Sequence, residues 1–358
     1  MIKVCFIISG IDYSGAEIVL NRYLKNNQDV DAHFIIIYDN KYVIEKLKEK
    51  YNGKNIHELG LKINKFTLNF LPGLEIKLIE NKMKSIMDQI NPQVIYANNT
   101  IESMLISKYI SNTHIKSIAH VHDMKSSFKS IIKRKFIVNS LKKYDEIIMV
   151  SEATKNSWKG IRSNVIYNGM DDEYFEPNHK EYSLIKNIGF VGSLSKRKGI
   201  DILIGSIPKL LSLGYTINIA TRDKDGKYAK RLNKLKNDNI NIYYNLEENQ
   251  IKRFMNNMDV LIVPSREDPL PTVIMEAMAT GTIVIGNNIE SIKEMILDER
   301  LLYNNKRIID RLNYLGNMNT EELERISIKL KLRCNKVFSN VQKRKNVNSI
   351  IKKIIMEN

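Results

Sequence analysis

Short unbroken apolar runs recur along this chain. Each is followed by a polar turn and then by a longer stretch with apolar residues three and four apart. The unbroken runs predict buried strands over residues 2–8, 33–38, 56–59, 94–96, 116–121, 146–150 and 164–167. A second series follows over 188–192, 216–220, 240–243, 259–263 and 282–285. The stretches between them carry helical spacing, over 16–26, 42–51, 76–90 and 200–213 among others. Strands without internal alternation, alternating with helices, are the pattern of a parallel sheet covered on both faces. The stretch 171–183 has no long apolar run and reads as a linker. The pattern thus predicts one wound domain over 1–170 and a second over 184–340. Residues 304–339 read as helical, and a basic last helix over 341–358 is expected to cross back onto the first domain.

One stretch breaks the habit of the rest, VPSREDPLPTVIMEAMATGTIVIG over 263–286. An apolar strand runs into an acidic loop with Pro269 and Pro271, and a helix then starts at Thr272 and is stopped by Gly281. Asp268 lies in the loop, and Glu276 lies in a helix otherwise made of small and apolar residues. A carboxylate there faces solvent, or it is buried and paired, because burying it unpaired is costly. The helix start sits beside the carboxyl end of a strand, where open α/β sheets bind ligands and free N–H groups favour an anion.

Composition narrows the class. The chain has 358 residues, long for a single core, which agrees with two domains. No run approaches the length of a membrane-spanning helix, and the apolar start, MIKVCFIISG, reads as a first strand rather than a signal peptide. Cys5 and Cys334 sit in unrelated contexts, which points away from a disulfide framework and towards a reducing cytoplasm. No Cys/His spacing marks a metal site, and no metal is expected. The net charge is +16. It reads as solvated lysine faces or as attraction to anionic lipid; nucleic acid is disfavoured, since no binding motif accompanies the basic runs. Residues 125–144 mix Lys and Arg with Ile131, Ile132 and Phe136, which reads as a domain helix with a basic outer face or as an interfacial amphipathic helix. The basic and apolar loop 60–71 joins it as a candidate membrane contact.

Chemistry gathers at predicted strand ends. Ser9, Gly10, Ser14 and Gly15 form a loop before the first helix, where a glycine lets backbone N–H groups approach a ligand. The spacing is not that of a dinucleotide fingerprint, so a nicotinamide cofactor is not expected. Asn99 and Thr100 follow the fourth strand, with Thr100 as a helix cap. His120 and His122 alternate at the end of the fifth and project the same way, with Asp123 beside them. They read as a surface pair or as an imidazole poised for acid–base or orienting work. Lys196, Arg197 and Lys198, just before Gly199, form a cationic loop at a helix start, either solvated or a diphosphate site.

In this order and spacing, SGAE at 14–17, YANNT at 96–100, HVHD at 120–123, VSEAT at 150–154, VIYNGMD at 165–171, GFVGSLSKRKGID at 189–201 and PSREDPLPTVIMEAMATG at 264–281 resemble the retaining glycosyltransferases of family 4. The resemblance implies the GT-B fold, two Rossmann-like domains with parallel sheets facing across a cleft. It implies a nucleotide-diphosphate sugar donor, with UDP favoured and GDP as the alternative, a glycan or lipid-linked glycan acceptor bound by the first domain, and no cofactor. It implies that Gly15 approaches the donor phosphates, that His122 (with His120 as runner-up) lies near the donor sugar, and that Lys198 binds the diphosphate. Glu276 would bind the ribose, Asp268 would lie near the donor sugar, and Leu270, Pro271 and Thr272 would line the diphosphate at the helix start. Asn99, His120 and Asp123 remain acceptor-side candidates. Ser193 departs from the pattern, since many members carry a basic residue there, and charge neutralisation then falls to Lys198 with Arg197 or Arg266. The expected activity is metal-independent transfer of a hexosyl or N-acetylhexosaminyl group in surface-polysaccharide or cell-wall glycan synthesis, in the cytoplasm or at the inner membrane face. The alternative is a non-catalytic sugar-nucleotide-binding or partner subunit; a sugar-nucleotide epimerase is disfavoured.

Overall fold

The computed structural model describes residues 1–13, 15–51, 53–63, 72–175, 180–235, 237–304 and 307–357. Ser14, Lys65, Phe66, Leu68, Phe70 and Leu71, and part of the expected linker, lie outside the described residues. The chain divides into two units. The first is Met1–Gly169 together with the residues from Asn340 onward, and the second is Met170–Ser339.

The first unit is built on a seven-stranded sheet of β1 (Ile2–Ile8), β2 (Val30–Tyr38), β3 (Ile56–Leu61), β4 (Val94–Ala97), β5 (Lys116–Val121), β6 (Glu146–Met149) and β7 (Asn164–Val165), in the order β3-β2-β1-β4-β5-β6-β7. All pairings are parallel. The period of two along a strand assigns side chains to two cores. Val4, Phe6 and Ile8 pack on one face and Cys5 and Ile7 on the other, which is why the run had to be apolar throughout. The helix Asn340–Met356 covers the face of Val4 and Phe6 with Val347, Ile351 and Ile354. Tyr23 Oη donates to Asn348 Oδ1 at 2.6 Å, and the Asn340 amide donates to the Arg22 carbonyl, so polar bonds flank the apolar seam.

The second unit has a six-stranded parallel sheet of β8 (Asn187–Val191), β9 (Thr216–Thr221), β10 (Ile240–Tyr244), β11 (Val260–Val263), β12 (Ile283–Asn287) and β13 (Leu302–Tyr303), in the order β10-β9-β8-β11-β12-β13. The last strand was not expected, because two residues are too few to show a pattern. The expected helical region 304–339 is two helices, Ile308–Gly316 and Thr320–Val337, the second opened by a capping box between Asn319 and Glu322. The described part of the expected linker packs into this unit. Tyr174 and Tyr182 are buried, and Tyr182 Oη donates to the Gly281 carbonyl at 2.8 Å.

The helix expected within 125–144 spans Ile131–Leu141. Its faces differ from an apolar side opposed to a basic one. Lys133, Ile137, Ser140 and Leu141 point inward, and Ile131 and Ile132 are exposed together with Lys135, Lys142 and Lys143.

Candidate functional site

In each sheet the strand order reverses beside the first strand, and that switch point is where doubly wound sheets open a crevice at their carboxyl ends. In the second unit it falls between β8 and β11, which are paired neighbours. The loops that leave them are 192–199 and 264–271, so tertiary structure joins two motifs about seventy residues apart in sequence.

The two loops are bonded together. Arg266 N donates to the Arg197 carbonyl at 2.8 Å, and the Arg266 guanidinium reaches the Lys196 carbonyl at 2.6 Å. The same guanidinium grips Asp201 with two bonds of 2.7 and 2.8 Å, holding that carboxyl below its usual range. Arg197 Nη1 donates to the Glu267 carbonyl at 3.2 Å. Lys198 Nζ donates to Asp268 Oδ2 at 2.5 Å, and the carboxylate side chain is only 7% exposed. Leu194 N donates to Asp223 Oδ2 at 2.5 Å, and Ser193 Oγ lies 3.1 Å from Ser195 Oγ. Gly199 caps the helix Ile200–Ser212 at φ +74°, and a Cβ there would lie 1.9 Å from the Pro264 carbonyl oxygen. Only glycine allows that approach.

The helix Thr272–Ala279 starts from the same place. Its N-cap is Pro271, and no side chain among the described residues caps it, which leaves backbone N–H groups at its first turn of the kind that favour an anion. Leu270 beside it is buried. Glu276 is one turn in and 9% exposed, which settles the alternatives in favour of burial. A cation, an uncapped helix start and two buried carboxylates thus share one switch point, a combination suited to a phosphate carrying a hydroxyl-rich group. Asp201 and Asp223 escaped the sequence reading. They act through backbone and guanidinium bonds that only the folded loops reveal.

In the first unit the switch point lies between β1 and β4. Gly10, at φ +76°, packs so tightly that a Cβ would lie 2.6 Å from the Tyr38 carbonyl oxygen, whereas a Cβ at Gly15 would meet nothing within 4 Å. Gly15 is therefore not demanded by the chain's own packing. The helix cap is Asn99, not Thr100: Asn99 Oδ1 accepts from Thr100 N at 2.8 Å, because the preceding side chain reaches that first N–H. His120 is buried, with Nδ1 2.8 Å from Tyr96 Oη, and its ring centroid lies 4.1 Å from that of His122. Neither Nε2 has a partner among the described residues. Burial, followed by the charge of Lys343, pushes His122 down to about 3. Burial, then His122 and Lys343, pushes His120 well below its ordinary value. Both rings are therefore neutral at physiological pH. Lys343, on the last helix and buried, is itself pushed down to about 7 by burial and by Arg22. Trp158 Nε1 donates to the Asp123 carbonyl at 2.8 Å.

Glu102 was also missed. It is 1% exposed, and its Oε1 accepts from Ser9 N at 2.7 Å. Burial, and next the neighbouring Glu17, carry its carboxyl from an ordinary 4.5 to about 7. A folded value above the ordinary one means the folded state holds the proton more tightly. Stability from this group is complete below about pH 4.5 and is lost as pH rises to about 7, a difference of about 3 kcal/mol. The signal that marks Glu276, a carboxylate in an apolar helix after a fourth strand, marks Glu102 equally in TIESML. Among the described residues no group of three His, Cys, Asp or Glu side chains is arranged to hold a metal ion.

The chain is 27% identical over 296 residues to an uncharacterized glycosyltransferase of Methanocaldococcus jannaschii, covering 79% of this chain and 78% of that one. It is 26% identical over 185 residues to the O-antigen biosynthesis glycosyltransferase WclY of Escherichia coli, covering 48% of this chain and 52% of the relative. The fold matches that of Anabaena HepE, solved in complex with UDP-glucose, with a TM-score of 0.79, 17% identity and coverage of 99% and 100%. The architecture is that of the GT-B glycosyltransferases, with two Rossmann-like units. Residues 185–315, the span that holds the cationic loop, the acidic loop and Glu276, match the family described as Glycosyl transferases group 1.

Proposed function

We propose that this protein is a retaining glycosyltransferase that moves a sugar from a nucleotide-diphosphate sugar, most readily a UDP-sugar, to a glycan or lipid-linked glycan in surface-polysaccharide assembly. The observation that carries the reading is the second unit's switch point, where the Lys198–Asp268 pair and the uncapped start of Thr272–Ala279 adjoin buried Glu276. The diphosphate takes the helix start and Lys198, Glu276 accepts from the ribose hydroxyls, and Asp268 holds Lys198 and meets the sugar. The leaving diphosphate gains negative charge as the glycosidic bond breaks, and fixed donors aimed at it lower the barrier most. Retention follows when the departing phosphate accepts the acceptor's proton on the face it leaves, which needs neither a carboxylate nucleophile nor a divalent metal. His122 enters as a neutral hydrogen-bonding group. The names of the relatives support the polysaccharide setting, and the UDP-glucose complex of Anabaena HepE supports the donor class.

The test is a panel of UDP- and GDP-sugars, with nucleotide release followed with and without lipid-linked acceptor and with chelator present. Release from a UDP-sugar that rises with acceptor and survives chelation is expected. Binding without release or transfer, even with co-expressed neighbours, would favour the second reading, a non-catalytic subunit, which Ser193 in place of a basic residue motivates.

The acceptor reading extends to the membrane. Among the described residues no helix is long and apolar enough to cross a bilayer. Ile131 and Ile132, 67% and 64% exposed, share a face with Lys135, Lys142 and Lys143, an arrangement suited to peripheral contact with anionic lipid. Vesicles containing phosphatidylglycerol should retain the protein and release it in high salt, and replacing both isoleucines with serine should lower retention several-fold. Equal partitioning to neutral vesicles at low salt would sink this contact.

A further inference from the structure

The two units resemble each other in one respect beyond their sheets. In the second, a carboxylate from the loop after the fourth strand, Asp268, is bonded to the loop after the first strand through Lys198. In the first, Glu102, in the helix after the fourth strand, is bonded to the loop after the first strand through Ser9 N. We propose that Glu102 is a positioning residue for the transfer reaction, fixing in its uncharged form the Ser9–Gly10 backbone from which the loop to Gly15 departs. The proposal rests on the glycosyltransferase reading, in which that loop approaches the donor phosphates.

The geometry supports each part. Ser9 is held from two sides, its N–H by Glu102 Oε1 at 2.7 Å and its carbonyl by Tyr38 N at 2.9 Å. Gly10 follows at φ +76°, where an added Cβ would lie 2.6 Å from the Tyr38 carbonyl oxygen, so no side chain fits there. The second oxygen, Glu102 Oε2, is buried and has no hydrogen-bond partner among the described residues. A neutral carboxyl tolerates that far better than a carboxylate does, since an unpaired buried charge costs much more than an unpaired buried dipole. The groups whose charge bears on it are acidic or neutral. Glu17 faces it from the helix Gly15–Leu24, Tyr38 from β2 with Glu75 bonded to its hydroxyl at 2.9 Å, and Tyr144 from the turn before β6. Ionisation would strengthen the bond from Ser9 N–H, but burial and the neighbouring Glu17 outweigh that gain, so deprotonation near pH 7 draws water or a rearrangement to Oε2 and the loop tied to the other oxygen loosens.

The test uses the full chain, its Glu102→Gln variant and its Glu102→Ala variant. Glutamine keeps an acceptor for Ser9 N–H and removes the ionisation. Amide exchange of residues 8–13, corrected for the intrinsic effect of pH, should rise several-fold between pH 6 and 8.5 in the wild type and stay flat in Glu102→Gln. In the transfer assay the donor KM should climb over the same range in the wild type, with kcat little changed, and be flat in Glu102→Gln. Glu102→Ala should exchange fast at every pH; if it does not fold, the glutamine variant still decides. Parallel exchange in wild type and Glu102→Gln overturns the proposal. Should no donor be turned over, the glycosyltransferase reading fails, and the exchange measurement still reports on Glu102.

Discussion

Replacing Lys198 with alanine should lower transfer activity by about a hundred- to a thousand-fold, as loss of one fixed donor to a developing anion does elsewhere. The loss should fall on kcat more than on donor KM, because the charge it meets grows as the nucleotide leaves. The variant also strands a carboxylate. Asp268 is 6% exposed, and removing its cation leaves a buried charge unpaired, a change that costs about 3–5 kcal/mol in comparable sites. The second unit should therefore melt earlier in Lys198→Ala. Adding Asp268→Asn removes the stranded charge, so the double variant should recover thermal stability without recovering transfer. Measuring Tm and turnover on both proteins separates Lys198's two roles. A single variant with full turnover of its cognate donor would show that Lys198 does not serve the diphosphate.

Gly199→Ala is expected to damage the same site without touching a charge. A new Cβ would lie 1.9 Å from the Pro264 carbonyl oxygen, on backbone at φ +74° that alanine adopts only with strain. Backbone cannot swing away as a side-chain tip can, so the loops 192–199 and 264–271 must separate. We expect a stability loss of about 3 kcal/mol or more and donor binding weakened at least ten-fold. Gly205→Ala, in the same helix, is the control. It is exposed, a Cβ there meets nothing within 4 Å, and alanine in a helix interior is better than glycine by about 1 kcal/mol. Thermal melts and donor titrations should move in opposite directions for stability and differ sharply for binding. Similar behaviour of the two variants would refute the close approach at Gly199.

Much of the second unit's site was legible before folding. Glu276 stood out as a carboxylate among Ala277, Met278 and Ala279, and Lys198 stood out before a glycine at a helix start. What they face was not legible. Arg266 looked like a free cation for the donor, yet its guanidinium is engaged with Asp201 and the Lys196 carbonyl. His120 and His122 read as a surface pair or as an imidazole for acid–base or orienting work, and their charge state was not legible: burial and Lys343 make them neutral. Lys343 comes from the last helix, some 220 residues away in sequence, and no local pattern ties it to a strand end.

By itself, the sequence determined the alternation of apolar runs with helical stretches, and so the two parallel sheets, because burial on both faces demands strands apolar at every position. It also determined which residues stop and charge each loop, since those effects act over a few residues, whereas the cap at Asn99 in place of Thr100 showed only in the folded chain. Strand order was decided only in three dimensions. β1 lies between β2 and β4, and β8 between β9 and β11, so each crevice opens between loops distant in the chain. Charge state was decided there too. A carboxyl such as Glu102 or an imidazole such as His122 takes its protonation from the water it has lost and the charges it has gained, and neither is written in its neighbours along the chain.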